Sequence, residues 1–545
     1  MISLYFHTIR YLKFKQIYYR LWYILYKPKV YDFSLLNLRF KKGKINLPIK
    51  KKENLFHNGT FSFLNKSYSL SKVNWEGHTN TISKLWRYNQ HYFDFLHTNY
   101  SLRNQFSQNQ LLVNWVKENK NFRGVGWEPY PSSLRIVNWI KWHLLGNELP
   151  KLCLQSLALQ TRMLNKRVEW NLLGNHLFSN AKALIFAGIF FLDKDSEIWL
   201  KKGLKIISEQ LDEQILKDGG NFELSPMYHA IFLEDILDLI NISKLYNNII
   251  QKENIENWKN TAKKMLKWLE TMIHPDGEIS FFNDAAIGNA ANFKDLKSYA
   301  NELGIKHNDN KFDKITHLIE SGYVRYTSNS AVVFFDVGQI GPNYLPGHAH
   351  ADSLSFEISL FSERLIVNGG TSDYSNSNVR NYERSTEAHN TVTVNGKNSS
   401  EVWKSFRVAR RAVPFDFKIE EYKNTLNISC AHDGYKRLKG RPIHKRNLKL
   451  SDNSIIINDT VIGSIENAYS SFHFHPKVQI FKIQNNLYKI IMSNNKRVIL
   501  KILKGDPIIK KSYHSPEFGK RLETNCLRVV LDINNGSSVQ ISWYN

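Results

Sequence analysis

The stretch SGYVRYTSNSAVVFFDV, residues 321–337, is where the chain changes period. Tyr323 to Val337 is dense in β-branched and aromatic residues broken by a Ser-Asn turn, which reads as paired strands. Leu354 to Val367, Thr391 to Val394, Asn447 to Ile462 and Val498 to Leu503 continue the habit between Gly, Asn and Asp turns. Upstream, from about Thr81 to Leu318, apolar residues recur three and four apart. Gly174 to Phe191 (GNHLFSNAKALIFAGIFF) and Ala230 to Leu245 are the clearest cases, and Pro226 is the start signal of the second. Stacked helix pairs bury such faces in a bundle, solenoid or toroid, and the later strands imply a β-sandwich or large antiparallel assembly. The expected division is a basic, partly helical segment over 1–80, a helical domain over 81–317 and an antiparallel β domain over 318–545, a multidomain α+β protein.

Length and composition agree with several cores. The 545 residues are 42% apolar and 13% aromatic, which excludes disorder or fibrous structure as the main state. The 74 Lys and Arg exceed the 49 Asp and Glu by 25 charges, so the summed field attracts polyanions or an anionic membrane surface. Cys153, Cys430 and Cys526 lack the paired spacing of a disulfide scaffold, and a reducing compartment is expected. From Met1 to Val30 the apolar residues are interrupted by Arg10, Lys13, Lys15, Arg20, Lys27 and Lys29, so neither a signal peptide nor a membrane span is expected. The expected location is cytoplasmic. A basic amphipathic helix over Ile9 to Tyr26 either packs on the protein or touches the cytoplasmic face of a membrane.

Four places concentrate polar groups. In GWEPYPSSLRIVNW (126–139), Trp127, Tyr130, Arg135, Asn138 and Trp139 combine flat rings with hydrogen-bonding heads, which suits sugar rings and uronate carboxylates. Asn175 and His176 open an apolar helix. DGGNFELSPMYH (218–229) carries Glu223, Tyr228 and His229 at the start of the next one. In PGHAHADSLS (346–355), a strand from Ala349 would put His348, His350 and Asp352 on one face. His350, Asn368 and His389 are candidates to gather round a metal or a polar, hydrogen-bonded centre. Two imidazoles suit zinc, Asn368 is a weaker ligand, and Asp352 or Asp373 are substitutes for it. Arg380, Arg384, Arg407, Arg410 and Arg411 offer forks for carboxylates, in the substrate or inside the protein.

The blocks NHLFSNAKALIFAG, GGNFELSPMYH, PDGEISFFNDA, GHAHADSLSFE, RSTEAHNTVTVNG, SEVWKSFRVARRA and HDGYKRL, in that order, resemble the heparinase II/III family of polysaccharide lyases. The resemblance implies an incomplete (α/α) toroid followed by an antiparallel β-sandwich, with an acidic polysaccharide or oligosaccharide in the cleft between them. It implies cleavage next to a uronate by β-elimination; since no signal peptide is expected, the setting expected is bacterial surface or capsular polysaccharide metabolism. Tyr228 matches the catalytic tyrosine, His348 its histidine partner, and Asn175 or His176 the group that neutralises the uronate carboxylate. Expected substrate contacts are Trp127, Tyr130, Arg135, Asn138, Glu223, His229, Arg384 and Arg407. The zinc of related enzymes maps to His350, Asn368 and His389, with Asn368 where the family pattern has an aspartate. No organic cofactor and no nucleic acid are expected; a homodimer is left open. A uronate C5-epimerase and an inactive acidic-glycan-binding protein are the alternatives.

Overall fold

Helices fill the first part of the chain in the computed structural model, which describes residues 2–544 apart from positions 31, 33, 44, 47–48, 57–58, 70–74, 76–81, 99–104, 121, 308–311, 424 and 533–535. The expected boundary at Thr81 lies outside the described residues. Helices α1 (Ile2–Ile9) and α2 (Phe14–Leu25) come first, then α3 (Lys84–Tyr92), α4 (Gln105–Glu118), α5 (Pro129–Leu144), α6 (Lys151–Lys166), α7 (Gly174–Phe190), α8 (Lys194–Gln214), α9 (Pro226–Leu245), α10 (Lys252–Thr271) and α11 (Phe293–Glu302). The helix expected over Ile9 to Tyr26 is α2, shorter at its start, with a separate α1 ending at Ile9. The Gln16 side chain accepts from the Lys13 N–H at 3.0 Å and starts a new helix there.

The central helices are apolar on nearly every side, and they are buried accordingly. Among the 17 residues of α7, all but Asn175 and His176 are buried. This helix packs against α5, α6, α8 and α9, with Trp86, Trp115, Trp139 and Trp142 filling the space toward α3 to α5. Such a toroid-like arrangement leaves the N-terminal turns of α7 and α9 facing the strands.

Beyond Ile315 the described residues are mainly antiparallel sheet, with the short helix α12 (Asn378–Glu383) followed by a 3-10 turn at Thr386–Ala388. A five-stranded meander runs Ile315–Leu318, Tyr323–Thr327, Ala331–Asp336, Phe356–Leu360 and Glu363–Ile366. An eight-stranded sheet brings Pro414–Tyr422 to Ser454–Ile462 together with Gln479–Gln484 to Arg497–Lys504, joined through Ser537–Trp543. A four-stranded sheet carries Val392–Val394, Ala468–His473, Lys520–Val530 and Asp506–Glu517. In Ile443–Ser451 burial alternates strictly, one face to the core and one to water. Val333, Phe335, Phe356, Leu448, Ile457 and Val539 share the resulting core.

The loop 272–292 after α10 clamps the two parts. His274 Nε2 meets Glu357 Oε2 at 2.8 Å, and Asn283 Nδ2 donates to the Leu224 carbonyl at 2.9 Å. Tyr323 Oη donates to the same carbonyl at 2.7 Å, so a strand of the meander is pinned to the approach to α9.

Candidate functional site

A cleft of about 810 Å³ opens between the helices and the sheets. One stripe of each central helix lines it: Tyr130, Asn138 and Lys141 from α5, Asn175, His176 and Lys182 from α7, and Tyr228, Glu234 and Asp238 from α9. Successive lining positions, such as Asn175, Ser179 and Lys182 on α7 and Tyr228, Ile231, Asp235 and Asp238 on α9, are three or four residues apart, which puts each set on one face.

Tyr228 sits in the first turn of α9, where Ser225 Oγ accepts its backbone N–H at 3.2 Å and Pro226 fills a position that needs no donor. Its ring lies 3.8 Å from that of His348, and its Oη is 3.0 Å from Tyr374 Oη. Burial, with Tyr374 and Asp284 nearby, pushes the Tyr228 phenol well above its usual range, so it is held protonated.

His348 is fixed by Asp284. Its Nδ1 lies 2.9 Å from Asp284 Oδ2, and its carbonyl accepts from the Asp284 N–H at 2.9 Å. Asp284 is fully buried and takes both Nη groups of Arg380, with Nη2 at 2.7 Å, and His350 Nε2 at 2.8 Å. Burial opposes its charge, yet Arg380 and the hydrogen bonds from His348 and His350 hold the carboxyl well below the ordinary carboxylate range. An ionised Asp284 makes Nδ1–H of His348 the donor, which leaves the lone pair of a neutral ring on Nε2. Glu223 stands opposite, with Oε2 3.5 Å from that Nε2 and in no hydrogen bond. Burial raises its carboxyl.

Across the cleft, His176 Nδ1 meets Glu169 Oε1 at 3.1 Å, and its ring lies 4.4 Å from Tyr130. Burial disfavours its cation, but Glu169 outweighs that and raises the His176 pKa above the usual value. Asn175 lines the wall beside it, next to Gly174, where φ is +56° and an added Cβ would approach Leu345 Cδ2 to 2.3 Å. Arg407 Cζ is stacked between Tyr5 and Trp403, 5.4 and 4.9 Å from their rings, at the rim.

Four expected substrate contacts lie behind the wall instead of on it. Trp127 is buried and spends Nε1 on the Asn119 carbonyl at 2.9 Å. Arg135 is fully buried and donates to Gln160 Oε1, the His91 carbonyl and Ser132 Oγ. His229 uses both ring nitrogens, on the Asn221 N–H and the Met265 carbonyl. Arg384 ties the Ala349 and Lys404 carbonyls. In each case buried backbone groups needed a partner, and the side chain answers them before any ligand. Asn138 reaches the cleft but donates to the Tyr92 carbonyl and Asp94 Oδ1, both at 2.8 Å.

The segment from Ala349 to Leu354 is a looped turn, not a strand; Leu354 has φ +59°, and Ala351 N–H bonds the Arg384 carbonyl. His348 therefore faces the cleft while His350 points inward, its Nδ1 3.0 Å from His389 Nε2. Zinc takes three ligands and an open position, or four ligands. Asn368 spends its Oδ1 on the Asn390 N–H at 3.1 Å, Asp352 accepts from the Asn283 N–H, and Asp373 caps the turn at Ser375. Among the described residues no group of three His, Cys, Asp or Glu side chains is placed to hold a metal.

Sequence reasoning missed Asp284 and Tyr374, the first although it stands in a quoted block (PDGEISFFNDA). It also missed the deep end of the cleft, where Lys182 pairs with Asp235 and Asp238 at 2.6 and 2.5 Å, Lys141 pairs with Asp238, and Lys51 pairs with Glu234 at 2.6 Å.

The family model described as Heparinase II/III N-terminus matches residues 69–307, and the one described as Heparinase II/III-like, C-terminal matches residues 314–544. A heparin-sulfate lyase of Bacteroides stercoris is 27% identical over 331 residues, 56% of this chain and 46% of that one. One of Pedobacter heparinus is 27% identical over 247 residues, 41% of this chain and 36% of that one. The chain thus spans about half or less of the curated relatives it matches. Among solved structures, heparinase III superposes with TM-score 0.70 at 17% identity, covering 86% of this chain and 78% of that one. A heparan sulfate lyase mutant of Pedobacter heparinus gives 0.61 at 17%, covering 90% and 81%. These likenesses show a shared fold.

Proposed function

Since the chain belongs to the heparinase II/III family, we propose that it is a polysaccharide lyase that cleaves a uronate-containing acidic glycan by β-elimination, in bacterial surface or capsular polysaccharide metabolism. The observation that carries this reading is the closely packed Tyr228 and His348 pair, rings 3.8 Å apart, with buried Asp284 behind it, opposite Asn175 and His176. The proton at C5 of a uronate is weakly acidic, and its removal needs donors at the carboxylate where enediolate charge develops. Asn175 and a cationic His176 supply them. His348 Nε2 takes the C5 proton; the C5–H electrons form C4=C5 as the C4–O4 bond breaks, and Tyr228 gives its phenolic proton to the departing O4. The phenol kept neutral by burial suits the acid role. Glu223 has a free carboxyl oxygen for a sugar hydroxyl.

Incubation with a panel of uronate polysaccharides, followed through the ultraviolet absorbance of the conjugated product, tests the reading. Unsaturated product is expected, and Tyr228→Phe should lower turnover by about 10²- to 10⁴-fold with glycan binding kept. Exchange of solvent hydrogen into C5 without cleavage would make the protein an epimerase, and a Tyr228→Phe variant with normal turnover would remove the acid role. A structural zinc at His350 and His389 is a separate proposal that no step above uses. Zinc in freshly purified protein that is lost in His389→Ala would support it, and metal-free protein would sink it.

A further inference from the structure

The first forty residues hold 14 of the 30 large apolar side chains exposed among the described residues. Their arrangement on α2 is two-sided. Gln16, Tyr19 and Tyr23 form the docked face: Gln16 Nε2 reaches the Leu172 and Tyr344 carbonyls, Tyr19 packs 6.1 Å from Trp170, and Tyr23 Oη donates to the Val168 carbonyl at 2.5 Å. On the opposite side Phe14, Tyr18, Leu21, Trp22 and Leu25 share an arc of about 100°. Phe14 is 80% exposed, Leu21 60% and Leu25 83%. The rings of Tyr18, Trp22 and Tyr26 run along this side as a stacked ladder, 6.2 and 5.3 Å apart.

An apolar face of this size in water costs free energy that a partner must recover. Charge identifies the partner. Residues 1–31 contain no Asp or Glu but carry six cations; Lys13 pairs with Glu213, Lys15 lies over Trp170 and Arg20 reaches the Asn171 carbonyl, which leaves Arg10, Lys27 and Lys29 exposed at the two ends of α2. Leu, Trp and Tyr side chains on one face, flanked by Lys and Arg, match a helix lying in the plane of a lipid surface, where rings sit at headgroup depth and cations meet phosphates. Among the described residues no helix is long and apolar enough to cross a membrane, and the 12 residues of α2 suit a helix lying along a surface.

We propose that the outer face of α1 and α2 docks the protein on an anionic phospholipid bilayer. The inner face of the same segment, with Thr8 and Gln16, lines the cleft, so docking fixes the cleft beside the membrane plane. It would keep a membrane-borne glycan at high local concentration.

The test is sedimentation of the full chain with phosphatidylcholine vesicles, with and without phosphatidylglycerol. Binding to the anionic vesicles is expected, weakened by salt. The double variant Leu21→Glu/Leu25→Glu should lose it by about tenfold or more, with an unchanged circular dichroism spectrum and unchanged cleavage of soluble oligosaccharide. Two results overturn the proposal. One is no binding to either vesicle. The other is wild-type protein that self-associates in sedimentation equilibrium through this face, becomes monomeric in the double variant and binds no lipid; the occupant is then a second copy. Neither depends on whether the glycan is cleaved by elimination.

Discussion

The Glu169 carboxylate decides the charge of His176. Burial alone would make that imidazole neutral; Glu169 Oε1, 3.1 Å away, raises its pKa above the usual value instead. The cation therefore persists below the raised pKa and is lost as pH climbs through it, and the same holds for the stability the ion pair contributes, which is complete below about 6.5. In the proposed chemistry the cation neutralises the uronate, so kcat/KM should fall on that alkaline limb. Glu169→Gln keeps an acceptor for Asn180 Nδ2 but removes the charge. Its alkaline limb should move to lower pH in a pH-rate profile, and an unmoved limb would take His176 out of that role. Elsewhere residue chemistry was only half legible. Tyr228, His348 and Asn175 stand in motif positions that could be read from the chain, whereas Arg135 and Arg384 look like the same kind of arginine as Arg407 until burial separates them. Arg380 went to Asp284, a partner 96 residues away that no local pattern announces.

At the scale of elements, the start of α9 holds the site together. Ser225 is its N-cap, accepting from the Tyr228 N–H, and the same hydroxyl donates to the Asp284 carbonyl at 2.5 Å. One small side chain thus joins the helix that carries Tyr228 to the loop that orients His348. Ser225→Ala should cost about 1 kcal/mol of stability, the usual price of a lost cap. It should also lower kcat several-fold with little change in KM, because it loosens the geometry between Tyr228 and His348. Thermal unfolding and steady-state kinetics measure the two; a stability loss with unaltered kcat would make Ser225 a cap and nothing more. Helix starts of this kind are readable, since Pro226 and the three-and-four spacing both mark α9. The turn at 349–354 was not: an alternating His-Ala-His-Ala-Asp pattern imitates a strand, and only the Arg384 loop that bonds its backbone shows otherwise.

For the whole molecule, the excess of 25 positive charges sets a field that, under the proposed function, would draw an acidic glycan to the protein. Added salt should raise KM several-fold while kcat stays nearly constant, as screening weakens long-range attraction and leaves buried pairs such as Lys182 and Asp238 intact. Initial rates at graded ionic strength measure this, and a fall confined to kcat would contradict steering. Amino-acid order by itself determined that the chain has a helical part and an antiparallel β part, because periods of 3.6 and 2 are local properties, and it determined which blocks carry motifs. Tertiary structure decided the rest. Which histidine faces the cleft, which arginines are spent on buried carbonyls, and which side of α2 is left bare depend on partners far away in the chain. A buried polar group must take whatever partner the fold brings to it, and that choice is not written in the residues next to it.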